Sequence, residues 1–112
     1  MTIVIDTIVV VGTASASVTI DAYVVDVLMR DLVQHDHSPS GFLVYLYLWR
    51  RTHGAGKDSA RVSHQGLAEA TGLSKSAVQA AVRNLVRRKL LRVARASVTA
   101  VPEYFVQRTW RA

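Results

Sequence analysis

Cysteine is absent from the 112 residues. Small secreted folds commonly lean on disulfides, so the absence favours a reducing, intracellular setting. Long apolar runs are missing too: the stretch Thr7 to Val11 is too short to span a bilayer, and Asp6 interrupts it upstream. No basic residue precedes Arg30, whereas a signal peptide places positive charge before its apolar core. The expectation is a cytoplasmic, unprocessed protein with no membrane partner. Patterns that carry chemistry are equally sparse. No nucleophile has a base partner at a recognisable spacing. Gly54, Gly56 and Lys57 lack the strand and the full spacing of a phosphate-binding loop. His35, Asp36 and His37 lack the further ligands that a closed metal site requires. The expectation is a non-enzyme with no cofactor and no metal. A chain this short has no room for a separate sensory domain, so no small-molecule effector is indicated.

What is present is an uneven charge. Half the residues are hydrophobic, enough for the core of one ordinary domain, and the net charge is +6. Met1 to Trp49 holds five acids (Asp6, Asp21, Asp26, Asp31, Asp36) and one base, Arg30, a balance of −4. Arg50 to Ala112 holds thirteen bases and three acids (Asp58, Glu69, Glu103), a balance of +10. Such asymmetry points to a polyanion meeting one half of the chain. The alternative is a solvated basic face with no partner.

The local patterns predict an α+β fold with an N-terminal β-strand or hairpin, four helices and a C-terminal two-stranded hairpin. Thr2 to Val11 is dominated by β-branched residues, which suit a strand, and Ser17 to Ile20 reads as its return. Asp21 is placed to cap a helix to about Gln34, with Val24, Val25, Leu28 and Leu32 at helical spacing. Ser40 is placed to cap a second helix, Gly41 to about Thr52, apolar nearly all round and therefore central. Thr52 to Ala60 reads as a loop. Short helices follow over His64 to Thr71 and from Ser74 to about Lys89. Leu90 to Arg95 and Glu103 to Trp110 read as strands, joined by the loop Ala96 to Pro102.

The informative stretch is VSHQGLAEATGLSKSAVQAAVRNLVRRKLL, residues 62–91. Ala68 supplies a small residue where two helices cross, and Gly72 tolerates the positive φ of a tight turn. Leu67, Leu73, Val78, Val82 and Leu85 are spaced to share one core, and Ser74 satisfies backbone donors at the second helix start. This stretch resembles the helix-turn-helix of bacterial winged-helix DNA-binding proteins. The resemblance covers about Phe42 to Trp110, with the first forty residues outside it. It divides the chain into 1–40, a strand and helix read as a dimerisation extension, and 41–112, the DNA-binding region, within one compact domain. It implies double-stranded DNA as partner and a transcription regulator, more narrowly a repressor or autoregulator. It equally leaves open the DNA-binding component of a plasmid or phage replication or partition complex.

On that resemblance Lys75, Ser76, Gln79, Ala80, Arg83 and Arg87 lie on or beside the outer face of the recognition helix, which fits the major groove. Gln79 suits adenine and Arg83 suits guanine; Ser76 suits a base edge or a phosphate. Lys75 at the helix start, and Arg87 and Arg88 towards its end, suit the DNA backbone. Arg92 and Arg95 on the wing suit phosphates or a minor groove, with ordinary surface arginines as the alternative. His64 and Gln65 begin the first helix of the motif, where backbone amides meet phosphate, or His64 is a surface residue there. Arg50, Arg51 and Lys57 are weaker phosphate candidates. A homodimer is expected, because the acidic, apolar N-terminal half has no role in DNA contact. Two rivals stand: a winged-helix module that docks an acidic protein, and a binder of nucleic acid without sequence preference.

Overall fold

Serine hydroxyls start the three α-helices among the described residues. The computed structural model describes residues 16–111. Ser38 Oγ accepts from the Gly41 N–H at 3.1 Å and opens α1, Pro39–Arg51, with Pro39 in the first turn, where its missing N–H costs nothing. Ser38, two residues earlier than expected, is thus the cap. Ser63 Oγ accepts from Gly66 N–H at 3.0 Å to open α2, His64–Thr71. Ser74 Oγ accepts from Ala77 N–H at 3.1 Å to open α3, Lys75–Arg87. Gly72 ends α2 at φ 77°, and its N–H donates to Ala68 O at 2.9 Å. That geometry is the tight turn expected between the two helices of the motif.

The sheet has three strands, in the order β1 (Ala60–Arg61), β3 (Glu103–Val106), β2 (Leu91–Ala94), all antiparallel. This corrects the two-stranded hairpin: the expected loop before α2 contributes β1, with Ala60 opposite Tyr104 and Arg61 opposite Glu103. Strand β3 also stops at Val106 rather than Trp110, because the chain turns to bring Trp110 onto Tyr23, ring centroids 4.6 Å apart, and towards Trp49.

The N-terminal part of the fold is corrected as well: it is helical and not a β-hairpin. Thr2 to Val11 lies outside the described residues. Its expected return strand, Ser17 to Ile20, pairs with no strand. Val18 and Ile20 pack against the core instead, and Thr19 O accepts from the Trp49 indole at 2.9 Å. A core side chain thereby satisfies a carbonyl that a strand would have paired. From residue 22 to residue 35 the chain is helical, with two π-helical stretches, Val24–Leu28 and Asp31–His35. Val24, Leu28 and Leu32 recur every fourth residue. In an α-helix such a row drifts by about 40° per step; wider turns reduce the drift and keep all three against the core, where each is buried. Val25, expected beside them, is 50% exposed. The Asp21 carboxylate does not cap this helix; it accepts from Trp110 Nε1 at 3.0 Å and from Arg111 at 2.5 and 2.8 Å.

One core joins these parts. Tyr45, Leu48 and Trp49 of α1 lie at its centre with Leu67 of α2, Val78, Ala81, Val82 and Leu85 of α3, and Tyr104 and Val106 of β3. Fully burying each large apolar side chain contributes roughly 1.5–3 kcal/mol. Gly41 leaves room for the cap of α1: a Cβ there would lie 2.6 Å from Ser38 Oγ.

Candidate nucleic-acid interface

The packing of α3 determines what its other side can offer. With Val78, Ala81, Val82 and Leu85 buried, Ser76, Ala80, Arg83 and Arg87 form an exposed outer row, and Gln79 is half-buried at its edge. The helix contains no acid. Arg83, Arg87, Ala80 and Asn84 line an open concavity of about 250 Å³ on this side. An exposed row bearing amide, hydroxyl and guanidinium groups on a helix is the equipment needed to meet base edges in a major groove.

Beside the N-terminus of α3 a second concavity, about 220 Å³, is lined by Ser63, His64 and Gln65 of α2, by Lys75, and by Arg95, Thr99 and Pro102 of the wing. Four residues predicted from sequence, His64, Gln65, Lys75 and Arg95, are thus brought together from three elements. The helix start of α2 adds its free N–H groups. Burial, followed by the charges of Arg95 and Lys75, pushes the His64 imidazole below its usual range, so it is held neutral there. A phosphate between these cations would reverse that pressure. Gln65 Nε2 donates to Glu69 Oε2 at 3.0 Å.

Ser74 works as a helix cap, its hydroxyl also 3.2 Å from that of Ser76. The two wing arginines part company. Arg92 lies within β2, whereas Arg95 comes one residue after its end. Arg95 faces the basic concavity, and its Nη1 donates to Val98 O at 3.4 Å within the wing. The Arg92 guanidinium lies 3.8 Å from the ring centroid of Phe105, its cross-strand partner, on the face shared with Val86 and Lys89.

Arg88 is placed differently from the rest of its helix. Its Nη1 donates to both oxygens of Asp36 at 2.6 Å and its Nη2 to Asp31 at 2.9 Å, tying α3 to the N-terminal helical segment. Asp36, with a side chain 4% exposed, also accepts from Asn84 Nδ2 at 3.0 Å and lies 2.9 Å from the His35 ring nitrogen. Burial pushes this carboxyl up, but the hydrogen bonds from His35, Asn84 and Arg88 outweigh it and hold it at about 2. This commits Asp36 to the protein's own cations. Among the described residues no group of three metal-ligating side chains occurs. No helix there is long and apolar enough to cross a membrane.

Sequence reasoning missed Asp31, Asp36 and Asn84, whose partners are 48 to 57 positions away and leave no local pattern. It also missed Val98, 90% exposed at the wing tip beside Ser97 and Thr99. The phase of α3 did contain one clue: Arg88 falls a full 100° step beyond Arg87 and off the outer row.

Comparison with curated proteins and with solved structures gives no match. The family model described as bacteriophage replication protein O matches residues 22–105. The match includes the N-terminal helical segment, α1 to α3 and all of the sheet but the last residue of β3. Of the possibilities that the helix-turn-helix resemblance left open, it favours the replication type over the transcription regulator. The chain belongs to the bacteriophage replication protein O family and is a DNA-binding protein related to phage and plasmid replication proteins.

Proposed function

We propose that this protein recognises a specific double-stranded DNA site as the DNA-binding component of a phage- or plasmid-type replication complex, acting in the cytoplasm and by binding rather than catalysis. Ser76, Gln79, Arg83 and Arg87 read the major groove, and His64, Lys75 and Arg95 hold phosphates beside it. The observation that carries this reading is the convergence of His64, Lys75 and Arg95, from α2, α3 and the wing, next to an acid-free outer row on α3. A protein-docking face would present apolar anchors; here the row offers a hydroxyl, an amide and two guanidinium groups.

The test is fluorescence anisotropy against a duplex selected from a random-sequence library, with a scrambled duplex as control, over a salt series. Site recognition predicts a preference of about 10³-fold or more and a steep fall of affinity with salt. Equal binding to both duplexes would leave a binder without sequence preference, and no binding at low salt would end the DNA reading. A role as repressor or autoregulator needs only the same binding placed over a promoter, and a reporter carrying the selected site upstream of the start would reveal it. A homodimer is motivated by Val25, Met29 and Val33, each 38–50% exposed in a row on the N-terminal helical segment. Light scattering that gave a monomer mass at high micromolar concentration would refute it.

A further inference from the structure

The acidic N-terminal half meets the recognition helix through two carboxylates: Asp31 and Asp36 both accept from Arg88, and Asp36 also accepts from Asn84. We propose that Asp36, outside the helix-turn-helix, is a positioning residue for DNA recognition: through Asn84 it fixes the Arg87 guanidinium on the outer row of α3. The proposal rests on the DNA-binding reading above and adds to it a residue from the half of the chain with the opposite charge.

The argument is one of hydrogen-bond direction. An ionised carboxylate only accepts, a guanidinium only donates, and an amide does each from one end. Asp36 Oδ2 takes the Asn84 Nδ2 hydrogen at 3.0 Å. The Asn84 amide must therefore turn its NH2 inward and its oxygen outward, and Arg87 Nη2 donates to that oxygen. The inward end is fixed by its partner, because the Asp36 side chain is enclosed. Arg88, bonded to both Asp36 oxygens, keeps the carboxylate ionised and in place. The far end of the relay opens on the concavity where Arg83 and Arg87 meet. An arginine held before binding loses less freedom on contact than a free one, so the relay improves affinity for the right site more than for an arbitrary duplex.

The experiment is a double-mutant cycle, read as the ratio of affinities for a duplex selected by the wild-type protein and its scramble. Asp36→Asn is expected to lower that ratio by about 3–10-fold. Asp31→Asn, which removes the same charge but touches only Arg88, is expected to leave it within about twofold. In the Arg87→Ala background, Asp36→Asn should add no further loss. Thermal unfolding verifies that each variant is folded at the working temperature; if Asp36→Asn is not, Asn84→Ala interrupts the same relay with the charge unchanged and is read in the same cycle. A second readout needs no DNA: NMR of the Arg87 side-chain N–H groups should show slowed exchange in the wild type and fast exchange in Asp36→Asn. A loss that persists undiminished in the Arg87→Ala background, or an Arg87 guanidinium equally free in both proteins, overturns the relay while leaving the DNA reading intact. A wild-type protein that does not prefer its selected duplex overturns the reading itself, and with it any role for Asp36 in recognition.

Discussion

The two flanks of α3 carry the same kind of residue to opposite ends. On the side of α2 and the wing, Lys75 and Arg95 converge with His64, and among the described residues no acid lines that concavity. On the side of the N-terminal helical segment, Arg88 is answered at once by Asp31 and Asp36. A basic side chain on a recognition helix is therefore not a DNA ligand by virtue of its charge. Its phase on the helix, and what the rest of the fold brings to that flank, determine whether it faces solvent or a carboxylate. The wing repeats the lesson: Arg95, just past β2, joins the basic concavity, and Arg92, within it, lies over Phe105.

The comparison is broken most directly by removing one arginine from each flank. Arg83→Ala should cost about 1–3 kcal/mol of affinity for the selected duplex and relax preference at one base position, measured by anisotropy against single-base variants. Arg88→Ala should instead cost affinity no more than the loss expected of Asp36→Asn, relax preference at no single base position, and lower stability by roughly 2 kcal/mol, because it strands the enclosed Asp36 carboxylate; thermal denaturation distinguishes the two. If Arg88→Ala weakened DNA binding as much as Arg83→Ala, the two flanks would not differ in role.

Acid titration sharpens the second flank. The Asp36 carboxyl is held at about 2, below its ordinary 3.8. Its folded-state value is depressed, so its contribution is fully present above about pH 4 and is lost as the pH falls towards 2. The amount is on the order of 1–2 kcal/mol, since one pKa unit is about 1.4 kcal/mol and part of the pairing is solvent-screened. Unfolding midpoints measured between pH 5 and 2 should fall more steeply for the wild type than for Asp36→Asn.

The first flank has its own pH signature. His64 is pushed below its usual range by burial and by Arg95 and Lys75, and a bound phosphate would favour its protonated form. DNA affinity should accordingly rise as pH falls through the imidazole range, by a few-fold, and His64→Ala should flatten that rise. A smaller effect concerns the end of α3 itself. Lys89 adopts a left-handed conformation, φ 59°, to end the helix. Lys89→Gly should remove that strain and raise stability by about 0.5–1 kcal/mol, visible as a higher melting temperature, with a slight loss in nonspecific DNA affinity if the lysine contributes there.

Much of the helix-turn-helix is legible in the amino-acid sequence. Its start and stop signals are local: Ser63 and Ser74 as caps, Gly72 at the turn, and apolar residues whose period sorts the two faces of α3. The convergence of Lys75 with His64 and Gln65 follows from the motif, because those elements adjoin in sequence. The N-terminal region is less legible. Val18 and Ile20 have the composition of a strand, but the Trp49 indole and the core claim that segment, and tertiary packing overrides a short β-branched run. Strand β1 is hidden for the opposite reason: two residues carry no periodicity, and only Tyr104 and Glu103, more than forty positions away, make Ala60 and Arg61 a strand.

Taken alone, the sequence determined the capped helices α2 and α3, the outer row Ser76, Arg83 and Arg87, and the separation of acid from base along the chain, since each depends on spacing or composition over a few residues. The tertiary structure alone decided that Arg88 turns inward while Arg87 stays outside, that Arg95 joins Lys75 while Arg92 does not, and that the acidic half reaches the recognition helix through Asp36 and Asn84. Those outcomes depend on which side chains meet across tens of residues, and a hydrogen bond between distant groups forms where packing has already placed both partners within about 3 Å.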